Sequence, residues 1–179
     1  MKIGVLGGGR VGTGLARFWE QAGHEVQVSS RDTVAETAAF GDVVLLAVPA
    51  GAAAEVLAAV GALEGKVLID ATNNLRGGPT CVELAALVPA ARVVKAFNTV
   101  FEALYGEIEA ASEPPTMVYC GDDPEAKAVV AELIGDAHFE PVDAGGLGVA
   151  PDVEGLARLV IGIAFTQGRG PFVYRFQAP

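Results

Sequence analysis

The sequence predicts an α/β fold, a doubly wound and mostly parallel sheet followed by a C-terminal apolar helix. Three observations carry that expectation. Strand-like and helix-like segments alternate along most of the 179 residues, which favours parallel pairing through crossover helices. Runs such as Val43–Val48 and Val67–Ile69 are apolar without interruption, as in strands covered on both faces. The first strand also leads straight into a glycine-rich turn and then a helix.

That first strand is Lys2–Leu6, and the turn reads Gly7-Gly8-Gly9-Arg10-Val11-Gly12-Thr13-Gly14. The spacing is G-x-G-x-x-G. Gly7 suits a tight turn, Gly9 lets backbone approach a ligand, and Gly12 lets the helix pack closely on the strand. A helix starting there presents unpaired N–H groups and the positive end of its dipole to phosphates. With a strand before it and a helix after it, the motif points to a dinucleotide diphosphate and a Rossmann-type domain. Gly8, Arg10 and Val11 complete the loop. Arg10 either covers a phosphate or points into water.

The helix runs through Leu15–Ala22 and stops at Gly23, a residue suited to a left-handed C-terminal cap. The next strand, Glu25–Val28, ends in Ser29-Ser30-Arg31-Asp32. An NAD site wants a carboxylate at this strand end for the ribose hydroxyls. Two hydroxyls and a guanidinium fork suit a 2′-phosphate better, so NADP(H) is expected, held by Ser29, Ser30 and Arg31. The plainer alternative is a solvated turn. Asp32 is expected to cap a helix that starts near Thr33.

The remaining elements follow in order. A short helix at Val34–Phe40 precedes a strand at Asp42–Pro49 and an Ala-rich helix reaching Val60. A strand at Gly65–Asp70 ends in polar Thr72-Asn73-Asn74. Thr80-Cys81-Val82-Glu83 has capping-box spacing and opens a helix to Val88. A strand from Arg92 ends in Asn98-Thr99, and another spans Thr116–Gly121. Asp123-Pro124 starts a helix to Ile134. Phe139–Asp143 is expected at a sheet edge, where its proline is tolerated. Ligands of such sheets bind beyond the carboxyl ends of the strands, which places the cleft at these polar ends. Val48 and Pro49 are expected to pack against a nicotinamide. Asn73 and Asn98 are expected either to bond that ring or its partner ring, or to satisfy loop backbone.

A net charge of −10 argues against nucleic acid and anionic membranes as partners. Cys81 and Cys120 show no C-x-x-C or metal-like spacing and read as free thiols of a reducing compartment. The N-terminus has no signal-peptide pattern, and the longest apolar stretch is too short to span a bilayer. A cytoplasmic location is expected. His24 and His138 read as structural, and Lys95 as a residue that snorkels or pairs with a carboxylate. The final helix, Pro151–Gln167, is apolar almost all round, with little chain left to cover it. A homodimer through this helix is therefore expected. The alternating Phe172, Tyr174 and Phe176 suggest an edge strand or a reach to the partner. Residues 1–148 form the nucleotide-binding domain. Residues 149–179 form the helix and tail, which contribute to dimerisation and to the site of a second substrate. The Gly145-Gly146-Leu147-Gly148 loop either approaches that substrate or simply links to the helix.

Taken together, these pieces resemble the F-420-dependent NADP oxidoreductases. The likeness runs through Gly7–Gly14, Gly23-His24-Glu25, Ser30-Arg31, Val48-Pro49 and Lys95-Ala96-Phe97-Asn98-Thr99. It continues in Cys120-Gly121-Asp122-Asp123 and Pro141-Val142-Asp143-Ala144-Gly145. The resemblance implies NADP held by Gly8, Gly9, Arg10, Val11, Ser30 and Arg31, a second redox ring over the nicotinamide, and a dimer. One departure stands out: the family usually carries a longer helix and a small strand after the Ser-Arg pair.

The expected activity is hydride transfer between NADP(H) and a deazaflavin or flavin, coenzyme F-420 or FMN, as small-molecule redox substrate. Such transfer needs two rings face to face at about 3–3.5 Å. The cofactors carry the chemistry, so no catalytic side chain is expected. Reduction of a small imine or keto substrate is an alternative, as is a non-catalytic NADP-binding redox sensor.

Overall fold

The computed structural model describes residues 1–61, 63–75 and 77–177; positions 178 and 179 of the C-terminal segment lie outside them. Among the described residues, seven strands form one sheet in the order β2-β1-β3-β4-β5-β6-β7. Strands β1 (Lys2–Leu6), β2 (Glu25–Val28), β3 (Val43–Leu46), β4 (Val67–Asp70) and β5 (Arg92–Lys95) are parallel. Strand β6 (Thr116–Gly121) runs antiparallel to β5 and parallel to β7 (Glu140–Asp143). The expected doubly wound sheet is present, with Pro141 on an edge strand. Every residue of β3 and β4 is buried, the consequence of helices on both faces.

Helices α1 (Arg10–Gln21) and α6 (Pro124–Asp136) cover one face. Trp19 and Phe18 are fully buried there, and the Trp19 indole N–H donates to the Leu133 carbonyl at 2.9 Å. On the other face lie α2 (Val34–Phe40), α3 (Ala50–Val60), α4 (Cys81–Leu87) and α7 (Ala150–Ile161). A short α5 (Tyr105–Glu109) packs its Tyr105 ring against Phe18, with centroids 5.5 Å apart.

The shortened segment after Arg31 is closed economically. Helix α2 has only seven residues, and the Lys66 ammonium donates to its last carbonyls, Ala38 at 3.0 Å, Ala39 at 2.9 Å and Gly41 at 2.5 Å. A cation there satisfies orphan acceptors and opposes the negative end of the helix dipole. The helix begins with Thr33 at the N-cap position, not Asp32, and no side chain caps it. The Thr33 hydroxyl is instead drawn to Ser30, accepting from its backbone N–H at 2.9 Å.

The C-terminal region departs from expectation in two ways. Helix α7 ends at Ile161 and passes into a π-type turn at Gly162–Thr166. Its inner face is buried on its own chain through Val153, Glu154, Ala157 and Val160, while Leu159 and Phe165 remain outside. The sequence suggested too little chain to cover this helix; α4, β6 and the loop after β5 supply part of the cover. Among the described residues the tail forms no strand. It lies where β5 and β6, paired over only two positions, diverge: the Thr116 N–H donates to the Tyr174 carbonyl at 3.0 Å. The Tyr174 hydroxyl donates to Thr99 Oγ1 at 2.6 Å.

Candidate functional site

The order of the strands reverses between β1 and β3, so a crevice opens beyond the carboxyl ends of these two strands. At its mouth, Gly7 has φ +126° and a side chain there would meet the Ala47 carbonyl oxygen at 2.3 Å. At Gly12 a Cβ would stand 2.0 Å from the Gly7 oxygen, so α1 rests directly on the turn. Gly9 is the opposite case, with nothing within 4 Å of a Cβ and no side-chain cap on α1. The first N–H groups of α1 therefore face open space.

A cavity of about 320 Å³ extends from this turn. Gly9, Arg10, Val11, Val48, Pro49, Thr72, Asn73 and Glu102 are among its walls. A second recess of about 160 Å³ shares Val11, Ala71, Asn73 and Glu102 with it and adds Asn98, Thr99 and the α7 residues Ala157, Val160 and Ile161. Arg10 is almost wholly exposed and pairs with Glu102 at 3.1 Å.

Of the residues singled out in the sequence, Gly9, Arg10, Val11, Val48, Pro49 and Asn73 meet at the first cavity. Asn98 belongs to the recess next to it. The two asparagines hold each other: Asn73 Nδ2 donates to the Asn98 carbonyl at 2.7 Å, and Asn98 Nδ2 to Asn73 Oδ1 at 3.0 Å. Ser29 has a different task. It is buried, and its hydroxyl accepts from the Gly7 N–H at 3.3 Å, tying β2 to the glycine turn. Ser30 and Arg31 stand exposed beside that turn. The Gly145–Gly148 loop lines neither cavity; the Leu147 N–H donates to Asp122 at 2.7 Å, so the loop is stitched to the end of β6. His24 lies elsewhere, its Nε2 at 2.8 Å from Asp136, and His138 packs on Phe18.

Beneath the cavity floor lies a buried ionic cluster. The Lys95 ammonium, fully buried, donates to Asp70 Oδ2 at 2.9 Å and to the Thr72 carbonyl at 2.5 Å, and stands 3.3 Å from Glu154 Oε1 on α7. Burial opposes the lysine's charge, but Asp70, aided by Glu154, more than compensates and raises its pKa. Asp70 Oδ1 accepts from the Thr72 N–H, and Glu154 Oε1 from the Cys81 N–H. Burial, reinforced by Asp70, pushes the Cys81 thiol far up and keeps it neutral. Burial raises Cys120 to about 11. Neither thiol is poised to react.

Two buried oxygens have no hydrogen-bond partner among the described residues, Thr72 Oγ1 and Asn98 Oδ1. Unpaired buried polar atoms are costly unless a ligand completes them. Sequence reasoning did not single out Thr72, Asp70, Glu154 or Glu102. The placement of Glu154 among the apolar residues Val153, Ala157 and Val160 of α7 was the available signal.

A family profile described as "NADP oxidoreductase coenzyme F420-dependent" matches residues 30–74. A crystal structure from Arthrobacter sp. FB24, provisionally named an F420-dependent NADP-reductase, superposes with a TM-score of 0.85 at 27% identity, covering 99% of this chain and 100% of that one. The chain is thus similar to F-420-dependent NADP oxidoreductases in sequence over residues 30–74 and in fold over nearly its whole length. Curated relatives of the chain include Metalloreductase STEAP3 of Rattus norvegicus, 31% identical over 176 residues, 87% of this chain. The chain spans only 36% of that relative's length, and 22% of Metalloreductase STEAP2 of Mus musculus. A reductive aminase from Aspergillus terreus, solved with NADPH4, has the same fold at a TM-score of 0.72 and 21% identity, over 93% of this chain and 62% of that one. Among the described residues, no helix is long and apolar enough to cross a membrane.

Proposed function

We propose that the cleft binds NADP(H), with the diphosphate on the Gly7–Gly12 turn, the 2′-phosphate on Ser30 and Arg31, and the nicotinamide towards Val48, Pro49, Asn73 and Asn98. The observation that carries this is the open first turn of α1 at the switch point, with a hydroxyl and a guanidinium exposed beside it. The two orphaned oxygens support the nicotinamide end. A carboxamide offers both a donor and an acceptor, the complement of Asn98 Oδ1 and Thr72 Oγ1. Bound there, the cofactor supplies a hydride for exchange with a deazaflavin or flavin, coenzyme F-420 or FMN, at the adjoining recess. The chain's own residues orient the ring and exclude water. Val48 and Pro49 give an apolar wall, Asn73 and Asn98 fix each other, and α7 closes the far side.

A second reading, reduction of a small imine or keto compound, draws support from the modest 160 Å³ of the recess. Assays with deazaflavin, FMN and small imines separate the two. Binding without turnover on any of them favours a redox sensor. A cytoplasmic homodimer through the outer face of α7 and the turn after it, where Leu159 is 60% and Phe165 63% exposed, completes the proposal.

Arg31→Ala tests the cofactor assignment. A charge-assisted phosphate contact contributes about 1.5–3 kcal/mol, so NADPH is expected to bind about tenfold to a hundredfold more weakly while NADH is unaffected. Equal weakening of both, read by fluorescence titration, removes the basis for NADP preference.

A further inference from the structure

We propose that Glu154 renders the nicotinamide end of the cleft anionic and thereby biases the bound cofactor towards hydride donation. This rests on the NADP(H) reading above. The observation is a charge imbalance in the interior. Asp70 and Lys95 are fully buried and Glu154 is 3% exposed, and both carboxylates lie within 3.3 Å of the ammonium. Both carboxylates act as acceptors, Asp70 towards the Thr72 N–H and Lys95, Glu154 towards the Cys81 N–H and Lys95. One ammonium faces two carboxylates, and the neighbouring Cys81 thiol is neutral, so one negative charge is left over.

The cluster lies below the floor of the cleft, which Glu154 reaches through Lys95. Lys95 donates to the carbonyl of Thr72, a residue of the cavity wall. At the rim, Arg10 and Glu102 neutralise each other and do not offset the buried charge. Loss of hydride breaks the C4–H bond of the dihydronicotinamide, takes a proton and two electrons to the acceptor ring, and leaves the nicotinamide one unit more positive. A fixed buried anion favours that cationic product over the neutral reduced ring. Glu154 touches neither ring; it acts through its field and by leaving Lys95 over-neutralised.

The test is the ratio of two dissociation constants, measured by titration without an acceptor. In the native protein, NADP+ is expected to bind more tightly than NADPH. Glu154→Gln keeps the size of the side chain and its acceptor oxygen while removing the charge. NADP+ is then expected to weaken about tenfold, the order expected of one unit charge near a partly buried site, with NADPH little changed. A ratio that does not move in the variant overturns the proposal, as does tighter NADPH than NADP+ in the native protein. The native measurement holds even where Glu154→Gln fails to fold. Native protein that binds neither form overturns the cofactor reading itself, a different result from an unmoved ratio.

Discussion

Lys95→Ala is expected to lose about 3–5 kcal/mol of folding stability, because it strands two buried carboxylates without a counter-charge. Asp70 and Glu154 have no other cation within salt-bridge reach among the described residues, and water does not reach them. Denaturant unfolding reads the loss directly as a lower midpoint at unchanged slope. The cost belongs to the broken cluster rather than to the cluster's net worth. A triple replacement, Lys95→Met with Asp70→Asn and Glu154→Gln, removes all three charges and is expected to recover most of the stability. The sign of the pH dependence follows from the lysine's raised pKa. Its contribution is fully present below the ordinary lysine value of 10.5 and is lost only as pH rises through the higher folded value. A variant as stable as the native protein shows that the cluster is not sealed from solvent.

Gly12→Ala is the second large effect. A methyl placed 2.0 Å from the Gly7 oxygen and 3.1 Å from Val5 cannot be accommodated by rotating a side chain. Helix α1 has to lift from β1, and overpacking of this kind costs about 1–3 kcal/mol or more. Moving the helix also displaces the N–H groups assigned to the diphosphate, so NADPH affinity is expected to fall about a hundredfold, on the scale of one lost charge-assisted contact or more. Gly9→Ala is the control: with nothing within 4 Å, its melting temperature should match the native protein. A Gly12→Ala protein that melts and binds like the native one contradicts the close packing of α1 on the turn.

The fold was legible because its strongest signals are local. Uninterrupted apolar runs at β3 and β4 and the Thr80 capping box each specify their own element without help from distant chain. The strand ends that line the cleft were legible for the same reason, since parallel topology alone puts Val48, Asn73 and Asn98 on one edge. What escaped notice was set by contacts between segments far apart in sequence. Ser29 looks like a phosphate ligand until β2 lies beside β1 and its hydroxyl meets Gly7. Asp32 looks like a helix cap until Thr33 takes that place. Glu154 acquires meaning only when α7 docks on Lys95, a residue 59 positions earlier in the chain.

Phe97 illustrates a further limit. Sequence periodicity reads it as part of a strand, but it adopts φ +62° just after β5, a costly conformation for an aromatic residue. Burial of its ring against Trp19 and Phe139 holds it there. The consequence is a sharp change of direction that delivers Asn98 to the recess. No local propensity announces such a turn, because tertiary packing imposes it.

The proposed function depends on how the glycine turn and its neighbours receive a phosphorylated dinucleotide. A crystal structure of the protein soaked with NADPH decides this. It is expected to show the diphosphate against the backbone amides at the start of α1 and the 2′-phosphate within hydrogen-bond reach of Arg31. Density for the cofactor anywhere else, or a 2′-phosphate held by other side chains, contradicts the account.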